Sequence, residues 1–326
     1  MRGKFRTFVD KPIPMQAPPL YRTFPSFLAE HLEGKVQKIA LNAGFTCPNR
    51  DGSKGRGGCT YCNNQTFNPS YGLINQTITE QMEDGIRFFA RKYPTMKYLA
   101  YFQAYTNTYA SVDQCISLYE EALAVPGVVG LVIGTRPDCL PEPLLDYLEA
   151  LATRVFVLVE LGLESTLDKT LIRINRQHDH ACSAEALHRL TSRGLLSGAH
   201  LILGLPGETP EDMLHHADVL SQLPLDTIKL HQLQVIKGTV LAKQIADDPS
   251  IIHPFTPDTY VELLVGFLER LRPDIAVERF VSQSPPDLLI SPDWGLKNYA
   301  FTHKVEQRLR STGSHQGRLY AVRLKS

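Results

Sequence analysis

The stretch VVGLVIGTRPDCLPEPLLDYLEALATRVFVLVELG, residues 128–162, holds two short apolar runs, 128–134 and 155–162, on either side of a run with helical spacing, 141–153. Each apolar run is too short for a helix and too continuously apolar for a strand with one wet face. The pattern therefore predicts a strand, a crossover helix and a second parallel strand. The same alternation continues in both directions. Strands are expected at 38–44, 97–103, 199–204 and 227–233, and helices at 79–93, 112–124, 183–194 and 209–223. Six strands with intervening helices form an α/β chain whose expected architecture is a curved, partial (β/α)6 barrel, with reactive groups on loops at the C-terminal strand ends. Residues 1–37, rich in Pro and aromatics, are expected to form an N-terminal arm, and 38–240 the core barrel. Residues 241–326 form a C-terminal extension, a candidate substrate-binding region punctuated by seven prolines from Pro249 to Pro292, with a candidate extra strand IAVERF at 275–280.

Immediately after the first expected strand comes GFTCPNRDGSKGRGGCTYCNNQTF, which contains Cys47, Cys59 and Cys62. Three thiolates can hold a [4Fe–4S] cluster while leaving one iron free for a ligand that is not protein. A structural zinc site calls for a fourth Cys or His at short spacing, yet no His lies between His31 and His178 and the next cysteine is Cys115. Disulfides need an even count and an oxidising compartment, and the N-terminal MRGKFRTFVDKPIPMQ lacks the apolar core of a signal peptide. Cys115, Cys139 and Cys182 stand singly and read as ordinary core or surface residues.

At 326 residues the chain is long enough to bury a sizeable core. No apolar run approaches the roughly 20 residues of a membrane span, so a soluble, cytoplasmic protein is expected. Lys and Arg total 34, as do Asp and Glu, but the C-terminal end is basic: Lys297, Lys304, Arg308, Arg310, Arg318, Arg323 and Lys325 stand against Glu306 alone. Such a bias can attract phosphate backbones or simply form a solvated helix face.

The segment CPNRDGSKGRGGCTYC, with eleven residues between its first two cysteines and two between the last pair, resembles the cluster loop of radical S-adenosylmethionine (SAM) enzymes, in the YhcC-like branch. That branch is similar to the radical SAM domain of the Elongator catalytic subunit. AYFQAYTNTY, IGTRPDCL, ELGLES, INRQHD, LILGLPGET and WGLKNYA carry the resemblance across nearly the whole chain. It implies a radical SAM barrel with a [4Fe–4S] cluster on Cys47, Cys59 and Cys62. The cluster's unique iron chelates SAM and, with an electron from a donor such as flavodoxin or ferredoxin, cleaves it to methionine and a 5′-deoxyadenosyl radical. The protein's task is then to position the cofactor and exclude water. Gly44, Gly52, Gly55, Gly57 and Gly58 suit a loop wrapped tightly on a cluster, and Tyr61 stands where the family places an aromatic against it.

The resemblance also implies cofactor contacts, one position at a time. Gln103, Ala104, Tyr105 and Thr106 replace a Gly-rich segment that holds the methionine amino group, with Thr106 as the candidate contact and Asn107 its neighbour. In GTRPD, Gly134 stands in place of a glutamate in the Elongator motif, beside Arg136. The role of ribose hydroxyl acceptor therefore falls to Glu164. Arg176 matches an arginine that pairs with the SAM carboxylate in oxygen-independent coproporphyrinogen dehydrogenase, a geometry guanidinium suits. Structural salt bridges are the alternative for Arg136 and Arg176. Ile202, Leu203 and Gly204 fall where the adenine lies. His200 replaces an aspartate and reads as a satisfied core residue, while His231 and Gln232 face the expected mouth.

The Elongator-like core and the basic tail together point to an RNA base as substrate, in a tRNA wobble-uridine pathway, making tRNA a candidate partner. Neutral overall charge and the dehydrogenase-like positions keep open a small metabolite or porphyrin-like substrate. A third reading is a non-catalytic iron–sulfur or zinc protein. No residue is singled out as the substrate radical site.

Overall fold

The computed structural model describes residues 19–63, 66, 76–91 and 95–320. Residues 1–18 of the expected arm, the end of the helix expected at 79–93, and Arg323 and Lys325 of the basic tail lie outside these residues. The chain runs α1 (Phe24–His31), β1 (Val36–Leu41), α2 (Ile78–Ala90), β2 (Lys97–Phe102), α3 (Val112–Leu123), β3 (Val128–Thr135), α4 (Glu142–Ala152) and β4 (Phe156–Glu164). It continues with α5 (Asp168–Arg173), α6 (His180–Ser192), β5 (Leu196–Leu203), α7 (Pro210–Leu220), β6 (Thr227–Gln232), β7 (Val235–Ile236) and α8 (Val240–Asp247). After a 3-10 turn come α9 (Pro257–Arg270), β8 (Ala276–Arg279), β9 (Leu289–Ser291) and α10 (Asn298–Thr312).

Strands β1 to β6 and then β8 form one parallel sheet of seven, in that order, curled into a half-barrel; β7 and β9 make a separate antiparallel pair. The expected six strands are therefore one too few. The segment 276–279 supplies the seventh, paired with β6 through Thr227↔Ala276 and Ile228↔Val277. Strand β5 begins at Leu196, earlier than apolar content alone predicts, because Ser197 is bonded by its N–H to the Asp226 carboxylate at 2.8 Å and by its hydroxyl to the Pro224 carbonyl. Gly198 follows from packing: a Cβ there would sit 2.7 Å from Thr227 Oγ1 and 3.1 Å from Glu160 Cγ, so glycine makes room for an inward carboxylate. Helix α6 starts three residues before the expected 183 because Asp179 caps it, accepting from the Cys182 N–H. The six-residue α5 is too short to show a period.

Successive strand residues alternate between two faces. Ile39, Phe102, Ile133, Val159, Leu201 and Leu230 pack outward against the helices. Inside, Leu99, Val132, Leu158 and Ala276 meet Phe24, Phe27 and Leu28 of α1, which plugs the N-terminal end of the barrel. Above this apolar layer lies a charged one. Glu160 on β4 accepts from Lys38 on β1 at 3.1 Å, Lys229 on β6 at 2.5 Å and His200 on β5 at 3.0 Å. Glu278 on β8 pairs with Lys38 at 2.5 Å and Lys229 at 3.3 Å, and Lys229 also donates to Tyr101 Oη at 2.8 Å. Since β1 and β8 are the sheet's two edges, the Lys38–Glu278 pair ties them together across the open side.

Helix α9 packs between α7 and α10. The tail cations face it: Lys304 pairs with Asp258 at 2.8 Å, Arg308 with Glu262 at 3.0 Å and Arg318 with Glu269 at 2.6 Å, while Arg310 pairs with Glu306 on its own helix at 3.1 Å. The basic run is thus largely matched by carboxylates. No helix among the described residues is long and apolar enough to cross a membrane.

Candidate active site

The loop after β1 is fastened to the segment after α5. Asn49 is fully buried; its Nδ2 donates to the Asn175 carbonyl at 2.5 Å and approaches Cys59 Sγ at 3.5 Å. In return Asn175 Nδ2 donates to the Gly58 carbonyl at 2.8 Å, and the Thr60 N–H to the Ile174 carbonyl at 3.0 Å. Gly58 has φ +80°, and an added Cβ would sit 3.0 Å from Arg50 Nε, so the loop's path requires glycine twice over. This fastening brings Cys47, Cys59 and Cys62 to one cavity of about 140 Å³ at the C-terminal mouth of the barrel. All three are free thiols.

Guanidinium groups surround the thiols. Arg176 Nη1 lies 3.6 Å from Cys59 Sγ, its Nη2 donates to the Gly162 carbonyl, and Glu164 Oε1 is 3.5 Å away. Arg50 donates to the Cys62 carbonyl at 3.0 Å. Burial, with Cys59 and Cys47 close by, pushes the Cys62 thiol up to about 11 against the opposing charge of Arg50. Four non-glycine residues have positive φ among the described residues: Tyr105 and Glu164, which line the cavity, and Asn175 and Gln177, which flank Arg176. Backbone strain of this kind concentrates where a site must be held in one geometry.

The cavity wall takes in Gln103, Thr106, Arg136, Glu164, Arg176 and Ile202 of the expected cofactor contacts, along with Tyr61. The other expected contacts are engaged elsewhere. Asn107 is buried behind the wall, and its Nδ2 bridges the Phe102 and Gly134 carbonyls at 3.0 and 2.8 Å, joining the ends of β2 and β3. Gly204 turns the chain at φ +96° beside Leu233 and Phe255. Gln232 clamps Ser282 through both amide atoms, at 2.9 and 2.7 Å, and lines the neighbouring cavity of about 280 Å³. Arg136 has a double role: it forks onto Asp138 at 2.8 and 3.0 Å and donates to the Arg176 carbonyl at 2.9 Å, yet its Nη1 is buried without a partner. Arg176 Nε is likewise unpaired. Two orphaned guanidinium donors beside three thiols fit a ligand that brings a carboxylate.

Sequence reasoning missed Glu160, Arg50 and Arg279, all on this wall, and gave His200 only a core role. Burial would raise the Glu160 carboxyl, but Lys229, Lys38 and His200 outweigh it and hold it well below the carboxylate range. Burial pulls the Lys229 ammonium down, while Glu160 and Glu278 hold it up. A signal was available, since Lys38, Glu160 and Lys229 each place a charge within a strand, Glu160 and Lys229 between two apolar neighbours.

Known proteins share this arrangement of sequence and fold. The profile described as Radical SAM superfamily matches residues 46–220, and the Radical_SAM C-terminal domain profile matches 225–311. Protein YhcC of Escherichia coli (strain K12) is 37% identical over 300 residues, covering 92% of this chain and 95% of that one. The tRNA uridine(34) acetyltransferase of Dehalococcoides mccartyi is 29% identical over 161 residues, 48% of this chain and 34% of that one. The solved structure of archaeal Methanocaldococcus infernus Elp3 with an N-terminal deletion superposes with TM-score 0.66 at 18% identity, over 87% of this chain, which spans only 64% of that chain's length; this likeness shows the fold. The superfamily match takes in more than half of the sequence and includes Cys47, Cys59 and Cys62: this chain belongs to the radical SAM superfamily, and is an enzyme of it.

Proposed function

We propose that Cys47, Cys59 and Cys62 hold a [4Fe–4S] cluster, that SAM occupies the cavity they line, and that the substrate is an RNA base, a uridine of tRNA. The observation that carries this reading is the meeting of three free thiols with Arg176, Glu164 and Thr106 on one cavity wall at the barrel mouth. When bound, the cluster and SAM together supply one-electron cleavage and hydrogen-atom abstraction, with the electron drawn from a low-potential donor of the flavodoxin or ferredoxin class. The chain's residues do the rest. Arg176 and Arg136 offer free donors to a carboxylate, Glu164 accepts from hydroxyls, and Ile202 presents an apolar surface to a ring. The buried charged layer below keeps the floor rigid.

Glu164→Gln and Arg176→Gln are each expected to weaken SAM binding by roughly ten- to a hundredfold, the cost of losing charge-assisted hydrogen bonds, while retaining iron. Anaerobic calorimetry reads the affinity, and unchanged values in both variants would return these residues to structural roles.

The RNA assignment draws on the tRNA-directed relative. It is tested by mass spectrometry of nucleosides from a strain lacking the gene, where one modified uridine should change and be restored by the wild-type gene but not by its Cys59→Ala variant. An unchanged nucleoside profile would favour the second reading, a small-molecule substrate. That alternative gains support from the paired tail cations. Because Arg308, Arg310 and Arg318 already have carboxylate partners, replacing all three by Ala should leave the salt dependence of tRNA binding nearly unchanged. A slope flatter by about 2 or more in log–log form, at about 0.7–0.9 per phosphate released, would make the tail an RNA contact after all.

A further inference from the structure

Arg279 ends β8, the edge strand added by the C-terminal segment, and lines both the cysteine cavity and the larger cavity of about 280 Å³ beside it. Its Nη2 lies 3.1 and 3.3 Å from the two ring nitrogens of His231, so the guanidinium rests against the imidazole. Burial and the Arg279 charge hold His231 well below its usual pKa, leaving the ring neutral. Arg279 Nε is buried and has no hydrogen-bond partner.

The neighbouring charges do not neutralise Arg279. Glu160 and Glu278 are matched by Lys38 and Lys229, two negative against two positive. Of the other arginines on the wall, Arg136 and Arg176 have Asp138 and Glu164, and Arg50 faces Cys62. Arg279 is therefore a surplus positive charge in a recess, an arrangement that costs free energy until a counter-charge arrives. The larger cavity supplies none among the described residues: its lining there includes Gln103, Gln234, Gln283 and Ser284 but no Asp or Glu.

We propose that Arg279, braced by His231, anchors an anionic group of the substrate, a carboxylate or a phosphate, in the larger cavity, with the neutral amides recognising the rest of the molecule. The inference rests on the reading that SAM occupies the cysteine cavity, since this places the substrate's reacting part toward the partition shared by Tyr61, Cys62, Gln103 and Ile202.

Equilibrium dialysis of the cluster-reconstituted, SAM-loaded full chain against radiolabelled acetate and inorganic phosphate, with acetamide as neutral control, tests it. One anion is expected to bind per chain, with Arg279→Gln weakening it by roughly ten- to a hundredfold. Arg279→Lys should keep part of the affinity, since the charge remains but the fork is lost. Acetate alone points to a substrate carboxylate and phosphate alone to a nucleotide phosphate; either supports the anchor. Binding of neither above acetamide, equal binding in Arg279→Gln, or a parallel loss of SAM affinity in that variant overturns it. Anion binding that depends on Arg279 in a wild-type chain unable to bind SAM would instead sink the cofactor reading and leave the anchor standing.

Discussion

Replacing Cys47, Cys59 and Cys62 together by alanine is expected to reduce iron and sulfide after anaerobic reconstitution from about four of each per chain to near zero, and each single replacement should remove most of it. The three thiols share one cavity and no other cysteine joins them there. Cys115 is buried in the packing of α3, and Cys139 beside Asp138 is pushed up to about 12 by burial and that charge. Cys182 lies near Cys139 in a separate recess. Cys115→Ala, Cys139→Ala and Cys182→Ala should therefore leave iron content unchanged. A full complement of iron in the triple variant would place the cluster elsewhere.

Glu160→Gln is expected to destabilise the metal-free chain by about 3–5 kcal/mol, the usual cost of removing one partner from a buried ion pair. Gln fills the same space, but Lys38 and Lys229 would then share Glu278 alone, inside a barrel whose edges that pair joins. The double variant Glu160→Gln, Lys229→Met should recover much of the loss, because removing both charges also removes their desolvation cost. The pH dependence follows from the direction of the Glu160 shift. With its folded pKa below the unfolded value, its contribution is complete above about pH 4.3 and is lost as pH falls through the folded value. The gap between wild type and Glu160→Gln should therefore narrow in acid. Urea unfolding across pH measures this, and a Glu160→Gln variant within about 1 kcal/mol of wild type at neutral pH would contradict the account, being no more than a surface pair provides.

Much of this was legible from residues 128–162 outward, because strands covered on both faces are apolar almost throughout and the helices between them keep a helical period. The cysteine loop was legible for a different reason: thiols and glycines at those spacings have few other uses. What escaped was set by closure of the sheet. Alternation tells which strand residues share a face, but not which face turns inward, so Lys38, Glu160 and Lys229 could not be joined into one layer. The strand at 275–280 was visible, yet its place beside β6 depends on the barrel's curl. Asn107 and Gln232 show what position alone leaves open. Their positions beside the mouth are as expected, but Asn107 Nδ2 is held by two strand ends while its Oδ1 is buried without a partner, and Gln232 is held by Ser282. Arg279 carries no local signal, since its significance comes from the carboxylates that Lys38 and Lys229 occupy.

The central claim, that the cavity of Cys47, Cys59 and Cys62 carries radical SAM chemistry, is tested most directly by chromatography of products after reduction. The wild-type chain, reconstituted without oxygen and given SAM and a strong reductant, is predicted to form 5′-deoxyadenosine and methionine in equal amounts, and the triple cysteine variant neither. Absence of 5′-deoxyadenosine from a wild-type chain holding its full iron and binding SAM, or its undiminished formation by the triple variant, would contradict the claim.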